Sequence, residues 1–242
     1  NIIKHMFKKI LLFILQFNFI YSLNIRNLAA SLLLSSSMNN LPLNNLVPLE
    51  NINLVSLENT DKHISNIKVL DNNIYFYGPI TDESCRELND ILITLDNNSK
   101  ILSISLGVDP PPINLHIQSE GGSLMNTFYT IDLIKNLKTP VNTYVDGYAA
   151  SAGSLISVMG KKRYMTKNSF IMIHQLSSSL GEGKFNDLDD NMDNLNKFMN
   201  TIRNIYLTNT KIPMEKLNDI LDHDLWMNSK ECLEYGLVDE VL

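Results

Sequence analysis

From about Ile67 onward the chain alternates short apolar runs with longer amphipathic ones, and this alternation constrains its fold more than any other feature. Ile74 to Tyr77 reads as a strand broken by Gly78-Pro79, and Cys85, Leu88, Ile91, Leu92 and Leu95 then recur at helical spacing to give one buried face. The unit repeats: Ile113 to Ile117 as strand, Glu120-Gly121-Gly122 as turn, Leu124 to Leu137 as helix with Phe128, Ile131 and Ile134 on one side. Val141 to Val145 is the next strand, and Gly147 to Gly153 reads as a turn of small residues leading into a helix through Ile156. Phe170 to Ile173 is a further strand. Strands alternating with helices predict an α/β fold with a largely parallel sheet, since parallel neighbours need crossover connections.

The chain has 242 residues, 44% of them apolar and 19% charged, enough for one sizeable domain with a filled core plus appendages. Its 20 basic and 26 acidic residues give a net charge of −6. Residues 1–49 hold Lys4, Lys8, Lys9, Arg26 and no acid, so the remainder carries −10. An acidic body excludes a generic binder of nucleic acid or anionic membrane, which needs clustered cations. Cys85 and Cys232 lie far apart without metal-ligand spacing, so both read as small core residues rather than a disulfide framework or zinc site.

Residues 1–49 read as a targeting leader. Met6-Phe7-Lys8-Lys9 and the interrupted apolar run Ile10 to Leu23 resemble a signal sequence, being shorter than the ~20 residues of a membrane span. Asn24 to Pro48 is acid-free and rich in serine, as transit peptides are. The order predicts two membrane crossings and thus the stroma of a secondary plastid. The alternatives are a buried helix at the start of the chain and the mitochondrial matrix or cytoplasm as the destination. The chain opens with Asn1, so Met6 is a candidate start. Residues 50–67 read as a linker, with the domain proper expected over 68–242.

A long polar helix follows Ile173, its apolar positions Leu188, Met192, Leu195, Met199, Ile202 and Tyr206 spaced 4, 3, 4, 3 and 4 apart. That narrow seam suits an arm meeting another subunit, or one face of a monomer core. A short helix from Ser229 to Tyr235 closes at Gly236, before a last strand from Val238 to Leu242.

Ser151 stands between Ala150 and Ala152 at a predicted helix start, where small residues admit a substrate backbone and free N–H groups favour developing negative charge. The same position also suits a plain N-cap. A second small-residue turn, Ser119-Glu120-Gly121-Gly122, can converge on it at one end of a parallel sheet. His174 ends an apolar strand, where a base could reach a cleft or simply pack. Spacing alone does not select the acid that would orient it.

Together, Gly147-Tyr148-Ala149-Ala150-Ser151-Ala152-Gly153, Met172-Ile173-His174-Gln175, Asp224 and Glu234-Tyr235-Gly236-Leu237-Val238-Asp239 resemble, in that order, the ClpP family of serine peptidases. The resemblance implies a ClpP/crotonase-type α/β fold with a protruding handle helix at about 177–209. It implies a Ser-His-Asp triad of Ser151, His174 and Asp224, with the backbone N–H groups of Gly122 and Ala152 as oxyanion donors. No metal or cofactor enters that chemistry. Partners implied are a homo- or hetero-oligomeric double heptameric ring, an AAA+ Clp unfoldase that uses the ATP, and unfolded polypeptides; no nucleic acid and, in the mature form, no membrane.

Three departures stand out. Glu120 replaces the proline of the family's Ser-Pro-Gly-Gly turn. His223 stands where an arginine usually helps lock the rings, and ring pairing is expected to be weaker or more pH-sensitive for it. Asn114 and His116 occupy a strand that usually carries aromatic residues for unfoldase docking. The rival readings are a non-catalytic ring subunit, a crotonase-type acyl-CoA enzyme and a Ser/Lys-dyad peptidase in which His174 is incidental.

Overall fold

The computed structural model describes residues 67–107, 109–178 and 183–242. The leader expected over 1–49, and the linker up to residue 66, lie outside them. Ile67 already belongs to the first strand.

Strands β1 (Ile67–Leu70) and β2 (Asn73–Tyr77) pair antiparallel. Helix α1 (Asp82–Leu106) is opened by a reciprocal cap, in which the Ser84 N–H donates to the Thr81 hydroxyl and the Thr81 N–H to that of Ser84. Then follow β3 (Ile113–Ser119), α2 (Leu124–Asn136), β4 (Val141–Ala150), α3 (Ala152–Ser157), β5 (Arg163–Met165) and β6 (Phe170–Met172). Helix α4 (Phe185–Asn209), α5 (Met214–Leu221), β7 (Trp226–Asn228), α6 (Ser229–Glu234) and β8 (Glu240–Val241) complete the chain.

The sheet runs β1-β2-β3-β4-β5-β8 and is parallel from β2 onward. Strand β4 forks. Thr143 to Val145 pair with β5, whereas Tyr148 to Ala150 pair with β6, which carries β7 antiparallel on its other edge. The turn expected over Gly147–Gly153 is therefore half strand: the small residues through Ala150 fit between β3 and β6, and neighbours override their low strand propensity.

Along β3, Ile113, Leu115, Ile117 and Ser119 point into the core. The core joins them to Leu88 and Leu92 of α1, Ile131 of α2 and Leu155 and Ile156 of α3. On the opposite face Tyr75, His116, Tyr144 and Tyr164 stack with ring centroids 4.6, 4.5 and 4.7 Å apart. His116 thus joins an aromatic row supplied by the neighbouring strands. Asp146 lies 2.8 Å from its Nδ1 and accepts from the Tyr77 hydroxyl at 2.7 Å. Burial pushes the Asp146 carboxyl up, but these two partners outweigh it and hold the group below its ordinary range.

Helix α4 divides in two. Ile202 and Tyr206 at its base are buried, while Phe185 and Met192 toward its start are exposed. Only the second half of the apolar seam is covered by the described residues. At the far end, Arg163 ties the layers together: it bonds the Asp239 carboxylate and the carbonyls of Asn209 and Gly236. Both cysteines are buried and free, and burial raises both thiols, that of Cys232 to about 12, so neither is poised as a thiolate nucleophile.

Candidate active site

Three neighbouring strand ends build the site. The pairing of Ser119 with Ala149 puts the turn after β3 beside the end of β4. The pairing of Ala150 with Met172 puts Ser151, one residue past β4, against the exit of β6. Strand β7 runs antiparallel to β6 with Met172 opposite Trp226, so two residues further on His174 comes opposite Asp224. Sheet register thus gathers residues that lie up to 105 positions apart in the chain.

The result is a hydrogen-bonded line. His174 Nε2 lies 2.8 Å from Ser151 Oγ and His174 Nδ1 lies 3.0 Å from Asp224 Oδ1. A carboxylate can only accept, so Nδ1 carries a proton, and in the neutral imidazole Nε2 accepts from the serine hydroxyl. Ser151 occupies the N-cap position of α3, but its side chain makes no cap bond. The plain N-cap reading therefore fails, because the hydroxyl is turned to the imidazole.

Ser151 has φ +53°, a conformation that costs a non-glycine residue energy and persists only where surroundings enforce it. Here its N–H donates to the Met172 carbonyl at 2.9 Å, and its own carbonyl accepts from the N–H groups of Ser154 and Leu155. Gly121 and Gly122 also have positive φ. A Cβ on Gly121 would lie 2.7 Å from Ser151 Cβ, and one on Gly122 would be driven into the Ile80 carbonyl. Only glycine lets this turn approach the serine so closely.

Ser151 and His174 open into a cleft of about 180 Å³ whose walls include Gly122, Ala152, Leu124 and Leu155, with Ile202 and Tyr206 from α4. Ala152 is the first residue of α3, so its N–H has no acceptor within the helix. The Gly122 N–H donates no hydrogen bond among the described residues. Both are available to a developing oxyanion. Among the described residues no lysine lines this cleft, which removes their support for a Ser/Lys dyad. Glu120 is exposed beside the turn. Among the described residues no group of His, Cys, Asp and Glu is placed to hold a metal ion.

Two residues of the site carried no sequence signal of their role. Ser154, fully buried, donates from its hydroxyl to the Ser151 carbonyl at 2.6 Å, and its Oγ lies 2.6 Å from the Tyr206 hydroxyl. In sequence Ser154 is one more small residue after the turn, and Tyr206 only the last position of the seam.

A hydroxyl, imidazole and carboxylate in line, at the mouth of a parallel sheet and beside unpaired backbone N–H groups, define the class of serine hydrolases. The Clp protease family model matches residues 58–242. The chain is 35% identical over 181 residues, 72% of its length and 89% of the relative's, to the ATP-dependent Clp protease proteolytic subunit 1 of Chlamydia caviae. It is 33% identical over 172 residues, 70% of its length and 83% of the relative's, to the ATP-dependent Clp protease proteolytic subunit of Streptococcus thermophilus. The chain belongs to the Clp protease family. It is a serine peptidase of the Clp type.

Proposed function

We propose that this peptidase is the proteolytic subunit of a ring assembly and cleaves unfolded polypeptides with Ser151 as nucleophile, His174 as general base and Asp224 as orienting acid. The carrying observation is the hydrogen-bonded line of Ser151, His174 and Asp224. His174 Nε2 takes the hydroxyl proton as Ser151 Oγ attacks the peptide carbonyl. The N–H groups of Gly122 and Ala152 receive the oxyanion, and His174 then gives its proton to the leaving amine. Water, activated by the same imidazole, hydrolyses the acyl-enzyme.

The exposed first half of α4 supports an arm that meets a second ring, in a double heptamer fed by an AAA+ Clp unfoldase that spends the ATP. The composition of residues 1–49 supports delivery to a plastid stroma. The test is degradation of an unfolded protein by the assembled chain with a Clp unfoldase and ATP, against Ser151→Ala. Degradation that needs ATP, the unfoldase and Ser151 is the expected result. An assembled ring that degrades nothing makes the chain a structural subunit and overturns the reading.

A further inference from the structure

Ser151 C=O and Ala152 N–H belong to the same planar peptide unit, so whatever holds the carbonyl also fixes where that N–H points. The Ser154 hydroxyl holds it at 2.6 Å, in addition to the N–H groups of Ser154 and Leu155. A carbonyl oxygen only accepts, so Ser154 spends its proton there and the Tyr206 hydroxyl must be the donor to Ser154 Oγ. Tyr206 and Ser154 are 1% and 0% exposed, and burial pushes the phenol above its ordinary range, so it stays a donor. Tyr206 sits at the base of α4, 52 residues along the chain, where Ile202 of the same helix lines the cleft. Met199 Sδ, also on α4, lies 3.1 Å from the Leu176 N–H, two residues past His174.

We infer that Tyr206 and Ser154 are positioning residues that aim the Ala152 N–H at the oxyanion and so make catalysis depend on α4 being seated on the core. The inference rests on the peptidase reading above. Ser151 is strained at φ +53°, so a peptide unit released on its carbonyl side has a lower-energy direction to relax toward. Relaxation turns the Ala152 N–H away from the site where charge develops and leaves ground-state substrate binding alone. The loss therefore falls on kcat and not on KM.

The experiment uses the full chain as Tyr206→Phe, Ser154→Ala and the double variant. It measures kcat and KM on a short fluorogenic peptide, the rate at which a fluorophosphonate phosphonylates Ser151 with loss of fluoride, thermal stability and assembly size. Each single variant is expected to lower kcat and the phosphonylation rate about tenfold with KM within about twofold, and the double variant no further. Ser154→Ala strands the Tyr206 hydroxyl without an acceptor, so the double variant is expected to regain stability without regaining kcat. Activity that tracks stability across the three variants, losses that multiply, or a Tyr206→Phe enzyme within about twofold of wild type on kcat overturns the inference. So does a loss that follows dissociation of the assembly. A folded wild type that no fluorophosphonate phosphonylates sinks the peptidase reading itself, and the relay with it.

Discussion

Ser151 and Asp224 stand at opposite ends of one hydrogen-bonded line and are held in opposite ways. Ser151 is enclosed: it directly follows β4, Met172 holds its N–H, Ser154 and Leu155 hold its carbonyl, and Gly121 packs close to its Cβ. Asp224 sits in the short connection from α5 to β7, its side chain 78% exposed while that of His174 is 24% exposed. The difference separates two ways of holding the groups proposed as nucleophile and orienting acid. The proposed nucleophile has a strained backbone that the core over-determines. An orienting acid needs only to point, because an exposed carboxylate acts through a high dielectric and contributes little net charge attraction.

The comparison can be broken first at its enclosed end. Ser151→Ala should lower peptidase activity by about 10⁵-fold with the fold intact, and His174→Ala should match it, since the two act as a unit. Steady-state assays beside circular dichroism check both. At the exposed end, Asp224→Asn should cost about 10³-fold in kcat, because the amide can donate to Nδ1 and hold the unproductive tautomer. A loss equal to that of Ser151→Ala would show Asp224 to be as indispensable as the enclosed nucleophile.

Gly121→Ala sharpens the contrast from the side of packing. The new methyl meets Ser151 Cβ at 2.7 Å and the backbone holds φ +97°. Activity should fall about 100-fold, with about 2–3 kcal/mol lost in denaturant unfolding. Arg163→Met tests a region remote from both ends: two carbonyls lose their guanidinium partner and the Asp239 carboxylate keeps only the backbone N–H of residue 163, so about 3 kcal/mol of stability should go while kcat of the folded fraction holds.

The smallest effect is on pH. Asp146 is held below its ordinary range in the fold, so its contribution is fully present above the unfolded value and is lost as pH falls through the folded one. The melting-temperature difference between wild type and Asp146→Asn should shrink as pH falls below about pH 4. A difference that instead grows on acidification would show the carboxyl to be raised, not lowered.

How far the chain could be read before its fold was known follows the same division. Ser151, His174 and the glycine turn stood out because the chemistry demands unusual local sequence: small residues around a serine, a histidine at a strand end, two adjacent glycines. Asp224 did not stand out among the chain's many acids. Resemblance supplied it, and the antiparallel register of β6 with β7 places it opposite His174. Strands β5 and β7, three residues each, are too short for any periodicity to register, and α5, with 8 residues, is too short for a helical repeat to stand out. In sequence β4 looks shorter than it is because Gly147 and Ala149-Ala150 resemble a turn, and only flanking strands on both sides make them a ladder. The Tyr206–Ser154 contact belongs wholly to tertiary structure, as no local pattern announces it.

The central claim is that Ser151 is an activated nucleophile, and covalent capture tests it most directly. Residues 50–242 would be treated with a fluorophosphonate, the adduct mapped by mass spectrometry, and assembly size read on the same sample, with Ser151→Ala alongside. The account predicts one adduct, on Ser151, on a large assembly, absent from the variant. A well-formed assembly that stays unlabelled, or a label carried equally by Ser151→Ala, would contradict it.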